Sequence, residues 1–377
     1  MTPSRCATGS PSSTSGWTSS STASAGSARY PVVALRMGTS RRRPTGKLAD
    51  LTGPGITDRW GMTCADLGAS VCAPNGMVVS VFGDTFSGTK VGDGDWRSPV
   101  ILIGTGDATH PISYQRAGGD DPDYARQLWH YVHHTSGSAR RGISTVIPSD
   151  LLRVGESLYL HAIVNSGFGN VVWTEIWSSA DSGISWRHLG NRAKFPAQLH
   201  HGYAQCWSWD YDPDDNWVYV VSTGFQRDKG IILRRVRPSG IADARQYSGW
   251  GAANGRWSWG QDPTPLTPHD ETWGELSLRR LPDGKWILGG FLSSHYALGY
   301  RVLDSPPRCT TRHSNGRSSA RRGRLRTTPS TGSRNCTADT FFPARDSICP
   351  GCGSCGLAVE HLARLAVSGD AISGDAS

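Results

Sequence analysis

The sequence predicts an all-β protein with the architecture of a β-propeller. Its composition indicates strands joined by many turns, because the 377 residues include 46 Gly and 15 Trp while only 19% are charged. A unit made of a carboxylate, a turn and a strongly β-prone run recurs four times, at intervals of roughly 60–80 residues. A turn motif that is common on propellers lies near the middle of the chain. These observations favour blades with generous loops over stacked helical repeats.

The four units lie between residues 49 and 306. Their β-prone runs are Met77–Phe82, Ser157–Val164, Trp217–Val221 and Lys285–Phe291. The carboxylates that precede these runs are, in the same order, Asp66, Asp150, Asp210 and Glu275. A propeller gathers the first strand of every blade around its axis, so carboxylates at matching repeat positions could converge on one funnel.

The turn motif is the segment Ser179–Trp186, which reads S-A-D-S-G-I-S-W and fits the Asp-box pattern S-x-D-x-G-x-[ST]-W. In such a turn Asp181 caps backbone N–H groups and Gly183 takes a positive φ. Asp181 is therefore predicted to be structural. Three other aspartates are predicted to be hairpin residues for the same kind of reason: Asp212, Asp214 and Asp215.

The two ends of the chain differ from its middle. Residues 1–48 are rich in Ser, Thr and Gly, carry seven basic and no acidic residues, and contain no recognisable signal peptide. We predict that they form a disordered or non-native extension. Residues 307–377 carry ten Arg and five acids but no Trp or Tyr. The middle therefore has a net charge of −4, and the overall charge of +8 does not indicate nucleic-acid binding.

The Trp- and Tyr-rich β-strand pattern ends at about Pro306. A propeller ring is not readily closed by four such units, so a fifth unit is expected. We interpret residues 307–377 as an aberrant, disordered tail. The tail contains the spacing Cys349-x2-Cys352-x2-Cys355, but no partner ligands stand at distances that fit a metal site.

The sequence predicts no metal, cofactor or membrane span. The pairs His133-His134 and His200-His201 lack the acidic partners and spacing of a zinc site, and no Gly-rich phosphate loop is present. No stretch approaches 18 consecutive apolar residues. The middle of the chain indicates no obligatory disulfide framework, although one Cys64–Cys72 bridge is possible.

Asp66 and Asp84 are the strongest candidates for chemistry. A turn signal at Pro74-Asn75-Gly76 and the run Met77–Phe82 lie between them, which predicts strand, turn, strand. In an antiparallel pair the end of the second strand returns to the start of the first, so both carboxylates could face one cleft. Glycoside hydrolysis requires at least two carboxyl groups on opposite sides of a cleft. Spacing alone fits turn or edge residues at least as well.

Several motifs closely resemble the domain-of-unknown-function 4185 family: G-I-T-D-R-W-G-M-T, V-F-G-D-T-F, D-W-R-S-P-V, N-V-V-W-T-E-I-W, W-S-W-D-Y-D-P-D-D, S-T-G-F-Q-R-D-K-G-I-I-L-R-R-V and W-I-L-G-G-F-L-S-S. The resemblance covers about residues 49–306. Members from mycolic-acid bacteria form glycoside hydrolase family 183, the endo-D-arabinanases. The resemblance implies a five-bladed propeller, an extracellular or cell-envelope location, and cleavage of the D-arabinan of arabinogalactan and lipoarabinomannan. It assigns the essential pair to Asp66 in A-D-L-G and Asp84 in G-D-T-F.

The resemblance also suggests what happened to the fifth blade. Cys336–Arg345 can be encoded by codons that, in another frame, give the Gly- and Tyr-rich pattern expected of the last blade. Our hypothesis is that residues after about Pro307 are an out-of-frame translation of that blade.

Further residues are candidates for substrate binding, each with a structural alternative. Arg97 could clamp sugar hydroxyls or the carboxylate pair. Asp150 and Glu175 could bind substrate or serve as strand-start and cross-strand residues. The tryptophans whose faces could stack on furanose rings, or simply pack the blades, are Trp96, Trp173, Trp207 and Trp209.

The predicted function is two-carboxylate hydrolysis of arabinan by a monomer with a polysaccharide partner. The sequence does not say which aspartate is the acid, and we favour inversion because propeller arabinan hydrolases commonly leave room for a water molecule. One alternative is a propeller that binds carbohydrate without cutting it. Another alternative is an inactive remnant of the enzyme. Loss of a blade would remove part of the hydrophobic core, and the stabilisation lost with it would exceed the usual net free energy of unfolding.

Overall fold

The structure is a computed structural model that describes residues 49–106, 111–133, 142–167 and 169–307. In this part of the chain the regular elements are β-strands and short 3₁₀ helices, with no α-helix. The strands are β1 (Cys64–Ala65), β2 (Ala69–Cys72), β3 (Val78–Phe82), β4 (Thr85–Phe86), β5 (Trp96–Arg97), β6 (Val100–Thr105), β7 (Ser113–Ala117), β8 (Thr145–Val154), β9 (Ser157–Asn165), β10 (Val171–Ser179), β11 (Arg187–His188), β12 (Lys194–Pro196), β13 (Cys206–Asp212), β14 (Trp217–Thr223), β15 (Ile232–Val236), β16 (Ser248–Ala253), β17 (Arg256–Trp259), β18 (Trp273–Arg280), β19 (Trp286–Leu292) and β20 (Ala297–Leu303). The 3₁₀ helices are Asp58–Trp60, Asn191–Ala193, Leu199–Gly202, Pro238–Gly240, Ala244–Gln246 and Ser293–His295.

The strands form four consecutive antiparallel sheets and one small accessory sheet. In strand order the four sheets are β2-β3-β6-β7, β8-β9-β10-β11 with β12 also paired to β10, β13-β14-β15-β16-β17, and β18-β19-β20. The first strands of successive sheets contact one another, β2 with β8, β8 with β13 and β13 with β18. Adjacent first strands are what innermost blade strands produce around a propeller axis. We call the four sheets blades 1 to 4.

The predicted all-β class and blade architecture are confirmed. The four β-prone runs of the sequence are the second strands of the four blades, β3, β9, β14 and β19. The expected fifth blade, the N-terminal extension and the Cys-rich tail fall on residues 1–48 and 308–377, outside the described residues.

The core lies between the blades, because both faces of each inner strand are covered. Val79, Val81 and Ile101 of blade 1 pack with Leu158 and Leu160 of blade 2. Corresponding clusters join the later blades, and they contain the fully buried indoles that account for much of the Trp content: Trp207 and Trp209 between blades 2 and 3, and Trp273 and Trp286 between blades 3 and 4.

The Asp-box prediction is also confirmed. Asp181 Oδ1 accepts a hydrogen bond from the Ser185 N–H at 2.9 Å, and Gly183 has a φ of +91° in the turn between β10 and β11. These capping hydrogen bonds lower the pKa of Asp181. The residue is therefore a turn cap. The hairpin assignments hold as well, since Asp212 and Asp215 accept the N–H groups of Asp214 and Trp217.

Within the described ranges, no helix is long and apolar enough to cross a membrane. Cys64, Cys72 and Cys206 are free thiols among the described cysteines, so the possible Cys64–Cys72 bridge is not formed.

Candidate active site

Asp66 and Asp84 are brought together by the main chain of blade 1. The Asp66 N–H donates to the Asp84 carbonyl at 2.8 Å, and the Gly83 N–H donates to the Asp66 carbonyl at 2.9 Å. The pairing continues on one side into β1 and β4 and on the other into β2 and β3. The Asp66 main chain thus bonds to both Asp84 and Gly83, while the register is the same on the two sides, with Ala65 opposite Thr85 and Ala69 opposite Val81. The main chain therefore makes the two aspartates neighbours, while their catalytic role stays a prediction.

The local sequence explains why the two chain segments approach each other so closely here. A Cβ on Gly83 would lie 3.0 Å from the Asp66 carbonyl oxygen, so only glycine permits this close approach without a shift. Leu67, the residue after Asp66, has a left-handed φ of +57°, which is unfavourable for a residue with a branched side chain. Its N–H donates to Asp66 Oδ1 at 2.8 Å. Strained backbone of this kind is concentrated at functional sites.

Asp84 is oriented by two side chains that contact the same oxygen. Trp96 Nε1 donates to Asp84 Oδ1 at 2.8 Å, and Thr145 Oγ1 lies 3.3 Å from that atom. The Trp96 ring is itself held in a stack between Phe86 and His133, with centroid distances of 5.8 and 4.4 Å. Both donors satisfy Oδ1, so Oδ2 is the oxygen available for proton transfer.

Both carboxyl groups have raised pKa values. Burial is the largest cause at Asp84, where it raises the pKa to about 6 with a further contribution from the Asp66 charge. The hydrogen bonds from Trp96 and Thr145 oppose this rise. Burial also raises the pKa of Asp66, the Glu275 charge adds to the rise, and Arg227 opposes it. Neighbouring carboxylates that disfavour each other's ionisation are the usual arrangement of an acid–base pair.

Glu275 meets a partner that the sequence analysis did not single out. Arg227 Nε donates to Glu275 Oε1 at 2.9 Å, and Nη2 donates to the same carboxylate. Arg227 has a left-handed φ of +59°, and a Cβ on Gly274 would lie 2.8 Å from its Cγ. Arg227 lies within S-T-G-F-Q-R-D-K-G, one of the motifs that carry the family resemblance. That motif was the only sequence signal that could have pointed to a functional role for Arg227. The pair faces Asp66 closely enough for both charges to act on that carboxyl.

An axial cleft adjoins this group and is lined by all four blades. Leu67, Ile147, Cys206, Phe225 and Glu275 are among its lining residues. Leu67 directly follows Asp66, so the carboxylate pair lies beside the cleft wall. Of the four repeat carboxylates, Asp150 and Glu275 are among the lining residues, and Asp66 lies close enough to Glu275 for the Glu275 charge to act on it.

The repeat carboxylates Asp150 and Asp210 tie blades together. Asp150 is 1% exposed, and its oxygens accept hydrogen bonds from Arg279 Nη1 and Nη2 at 2.9 and 2.7 Å and from the Trp209 N–H at 3.0 Å. Asp210 accepts the N–H of Arg280 at 2.8 Å. The structure corrects the prediction that Asp150 binds substrate, because its oxygens are already occupied and buried. Asp210 likewise joins blade 3 to blade 4.

Glu175 and Trp173 lie together on β10, the third strand of blade 2. Trp173 Nε1 donates to Glu175 Oε2 at 2.7 Å, and Lys194 Nζ lies 4.6 Å from the Trp173 ring centroid. Trp177 donates to the other carboxylate oxygen at 2.9 Å. Lys194 stands opposite Glu175 on β12, with Nζ 3.7 Å from Glu175 Oε2, which matches the cross-strand alternative for Glu175. A substrate contact at either residue stays a prediction.

Arg97 and Trp209 are placed differently from what the sequence suggested. Arg97 is 7% exposed; Nη1 donates to the Ala125 carbonyl at 2.6 Å and Nη2 to that of Gly61. It therefore holds the loops around the small accessory sheet, which consists of β1, β4 and β5, on the opposite face of β5 from Trp96. Trp209 and Trp207 are fully buried, so the expectation of a sugar-stacking face is wrong for them, and the blade-packing alternative is correct.

No group of three or more His, Cys, Asp or Glu side chains that could hold a metal ion occurs within the described ranges. His133 instead stacks on Trp96, and His200 Nδ1 lies 2.8 Å from Asp262 Oδ1. His134 lies outside those ranges.

Comparison with known proteins identifies relatives of this chain. It is 31% identical over 242 residues to notoamide biosynthesis cluster protein J' of Aspergillus versicolor. The matched region covers 61% of this chain and 65% of that relative. It is 28% identical over 266 residues to an uncharacterized 35.9 kDa protein of Mycolicibacterium smegmatis, covering 68% of the chain and 74% of that relative. The chain thus spans less than two thirds of the Aspergillus relative.

Among solved structures, a putative hydrolase from Bacteroides ovatus matches with a TM-score of 0.46 and 13% identity, covering 67% of this chain and 69% of that one. The model of a family described as "Domain of unknown function (DUF4185)" matches residues 52–325. That match covers most of the chain and includes all four blades with Asp66, Asp84 and Glu275. The chain therefore belongs to the DUF4185 family.

Proposed function

We propose that this protein is a glycoside hydrolase that cleaves D-arabinan at internal linkages, using Asp66 and Asp84 as its catalytic pair. The observation that carries the proposal is the main-chain pairing that makes Asp66 and Asp84 neighbours, together with the raised pKa values of both carboxyl groups. A glycosidase needs one protonated and one ionised carboxyl group at the same pH. The D-arabinan substrate rests on the resemblance of the motifs to the endo-D-arabinanases.

The surroundings favour a division of labour between the two groups. Asp84 Oδ1 accepts the donors of Trp96 and Thr145, so a proton on this carboxyl resides on Oδ2. A pKa of about 6 keeps that proton in place in mildly acidic solution. We assign Asp84 as the general acid that protonates the leaving oxygen.

Asp66 is assigned as the ionised partner. Arg227 is the cation that favours its charged form, and among the described residues no cation has a corresponding effect on Asp84. The carboxylate of Asp66 activates a water molecule or attacks the anomeric carbon directly. Glu275 holds Arg227 in place through its ion pair and belongs to the same site.

The test is incubation of the full chain, and of a version with the last blade restored in the alternative frame, with purified arabinogalactan. Release of oligo-arabinosides that is lost in Asp66→Asn and Asp84→Asn supports the proposal. A matched control is Asp181→Asn, which alters a carboxylate in the Asp-box turn far along blade 2.

Two results would count against the proposal. Retention of arabinan without any product by the restored protein would favour the carbohydrate-binding alternative. Products that survive both substitutions in the pair would show that the chemistry lies elsewhere.

A further inference from the structure

Arg234 on β15 is a cation enclosed between blades 2 and 3. Its exposed fraction is 0%, and Nε, Nη1 and Nη2 have no hydrogen-bond partner among the described residues. The guanidinium carbon lies 4.3 Å from the Trp207 ring centroid and 5.7 Å from that of Tyr247. Aromatic faces stabilise a cation, but they do not satisfy its N–H groups.

The face of blade 3 that carries Arg234 presents more donors. Arg234 on β15 is paired with Val220 on β14, and Val220 is paired with Trp209 on β13. The three residues therefore form one row across the sheet, with their side chains on the same face. Ser222 occupies the next row on that face, opposite Trp207. Trp209 Nε1 and Ser222 Oγ are buried, and neither has a partner within the described ranges.

Blade 2 closes this space from the other side without supplying negative charge. The His161 ring stacks on Trp207 with a centroid distance of 4.0 Å and an angle of 7°. Burial, together with the Arg234 charge, lowers the pKa of His161 well below its ordinary value, so the imidazole is neutral. Thr174 Oγ1, on the neighbouring strand β10, is another buried hydroxyl with no partner in the described part of the chain.

The enclosed Arg234 side chain has no negatively charged neighbour among the residues that act on its pKa. Burial lowers the pKa of Arg234 to about 10, and the counteracting influence comes from Tyr247, with no contribution from a carboxylate. An uncompensated buried charge is strongly unfavourable. Arginine and tryptophan side chains can only donate hydrogen bonds, so the missing partner must accept from several of them at once. A halide ion does so and also neutralises the guanidinium charge, whereas a water molecule accepts at most two hydrogen bonds and leaves that charge uncompensated.

We propose that a small monovalent anion of chloride size binds between blades 2 and 3 against the Arg234 guanidinium, with Trp209 and Ser222 as additional donors. The site is separate from the Asp66–Asp84 pair. It contributes to the assembly of the propeller by neutralising a cation inside an interblade core.

Thermal unfolding of the full chain in sodium chloride and in sodium gluconate at equal ionic strength tests this site, because gluconate is too large for it. We expect the unfolding temperature to rise by about 3 °C for each tenfold increase in chloride above the dissociation constant. Arg234→Met should abolish the chloride dependence. Arg235→Met is the matched control, because Arg235 points to the opposite face between Trp217 and Trp259 and its loss should leave the dependence intact.

A crystal grown in bromide should show an anomalous peak within hydrogen-bonding distance of the Arg234 guanidinium. A chloride-independent unfolding temperature for the unmodified chain, bromide found only at the surface, or chloride dependence retained by Arg234→Met would each overturn the proposal. If Arg234→Met does not fold, the unmodified chain and the bromide crystal still decide the question.

Discussion

Replacement of Trp96 by Phe should shift the pH dependence of hydrolysis in a defined direction. The substitution removes the N–H that donates to Asp84 Oδ1 at 2.8 Å but retains an aromatic ring between Phe86 and His133. That hydrogen bond stabilises the ionised form of Asp84 and lowers its pKa. Its loss should therefore raise the pKa above the present value of about 6.

The size of the shift follows from the strength of a hydrogen bond to a charged group, about 1.5–3 kcal/mol. One pKa unit corresponds to about 1.4 kcal/mol, so complete loss would shift the pKa by about 1–2 units. Residual solvation of the partly exposed carboxyl group reduces this to about 1 unit. As the general acid, Asp84 must be protonated, so the alkaline limb of the kcat/KM profile should move to higher pH by that amount.

The assay measures the release of reducing ends from arabinogalactan across pH 4–9. This range of about five pH units includes the alkaline limb of the kcat/KM profile. Trp173→Phe is the matched control, because it removes an indole N–H that donates to Glu175 instead. It should leave the alkaline limb unchanged. An alkaline limb that stays in place in Trp96→Phe, or moves to lower pH, would refute the assignment of Asp84 as the acid.

Other changes should have equally specific outcomes. Asp66→Asn and Asp84→Asn should each reduce kcat by about 10²–10⁴-fold in the arabinan assay, with far-ultraviolet circular dichroism unchanged. Because the folded-state pKa of Asp84 is raised from 3.8 to about 6, its ionisation destabilises the fold progressively as pH rises through that interval. Asp84→Asn should thus raise the free energy of unfolding at pH 7 by up to about 3 kcal/mol, with little gain at pH 3; a gain that does not depend on pH would contradict this. Asp150→Ala should lower the free energy of unfolding by about 3–5 kcal/mol, because Arg279 is left buried without its carboxylate. The control Asp283→Ala, in an exposed turn, should change the free energy of unfolding by no more than about 0.5 kcal/mol. Gly83→Ala should reduce activity more than stability, because the Asp66 carbonyl must shift by a few tenths of an ångström; equal activity at reduced stability would argue against a role for this close main-chain approach.

Residues with a strong local rule behaved as the sequence predicted. The Asp-box fixes Asp181 as a cap through contacts that span only a few residues. The strand–turn–strand pattern around Pro74–Gly76 likewise determines that Asp84 returns to Asp66, because the register of a short hairpin follows from its turn. The tryptophan-rich runs became blade cores for the same reason, since strands buried on both faces require apolar side chains.

Residues whose partners lie on other blades could not be assigned in this way. Asp150, Asp210 and Glu275 occupy equivalent repeat positions, yet Arg279 neutralises the first and the Arg280 N–H binds the second, while Glu275 faces the cleft with Arg227. These partners lie roughly 50–130 residues away in the chain, and no local pattern encodes them.

The sequence by itself determined that the chain forms antiparallel blades and that Asp66 and Asp84 meet, because both depend on alternation and turn chemistry within single hairpins. Only the tertiary structure decided which carboxylates stay at the cleft, which tie blades together, and that Arg234 is enclosed without a carboxylate. The physical reason is that burial and charge depend on how separate sheets pack, and contacts between sheets leave no periodic signal in the sequence of either one.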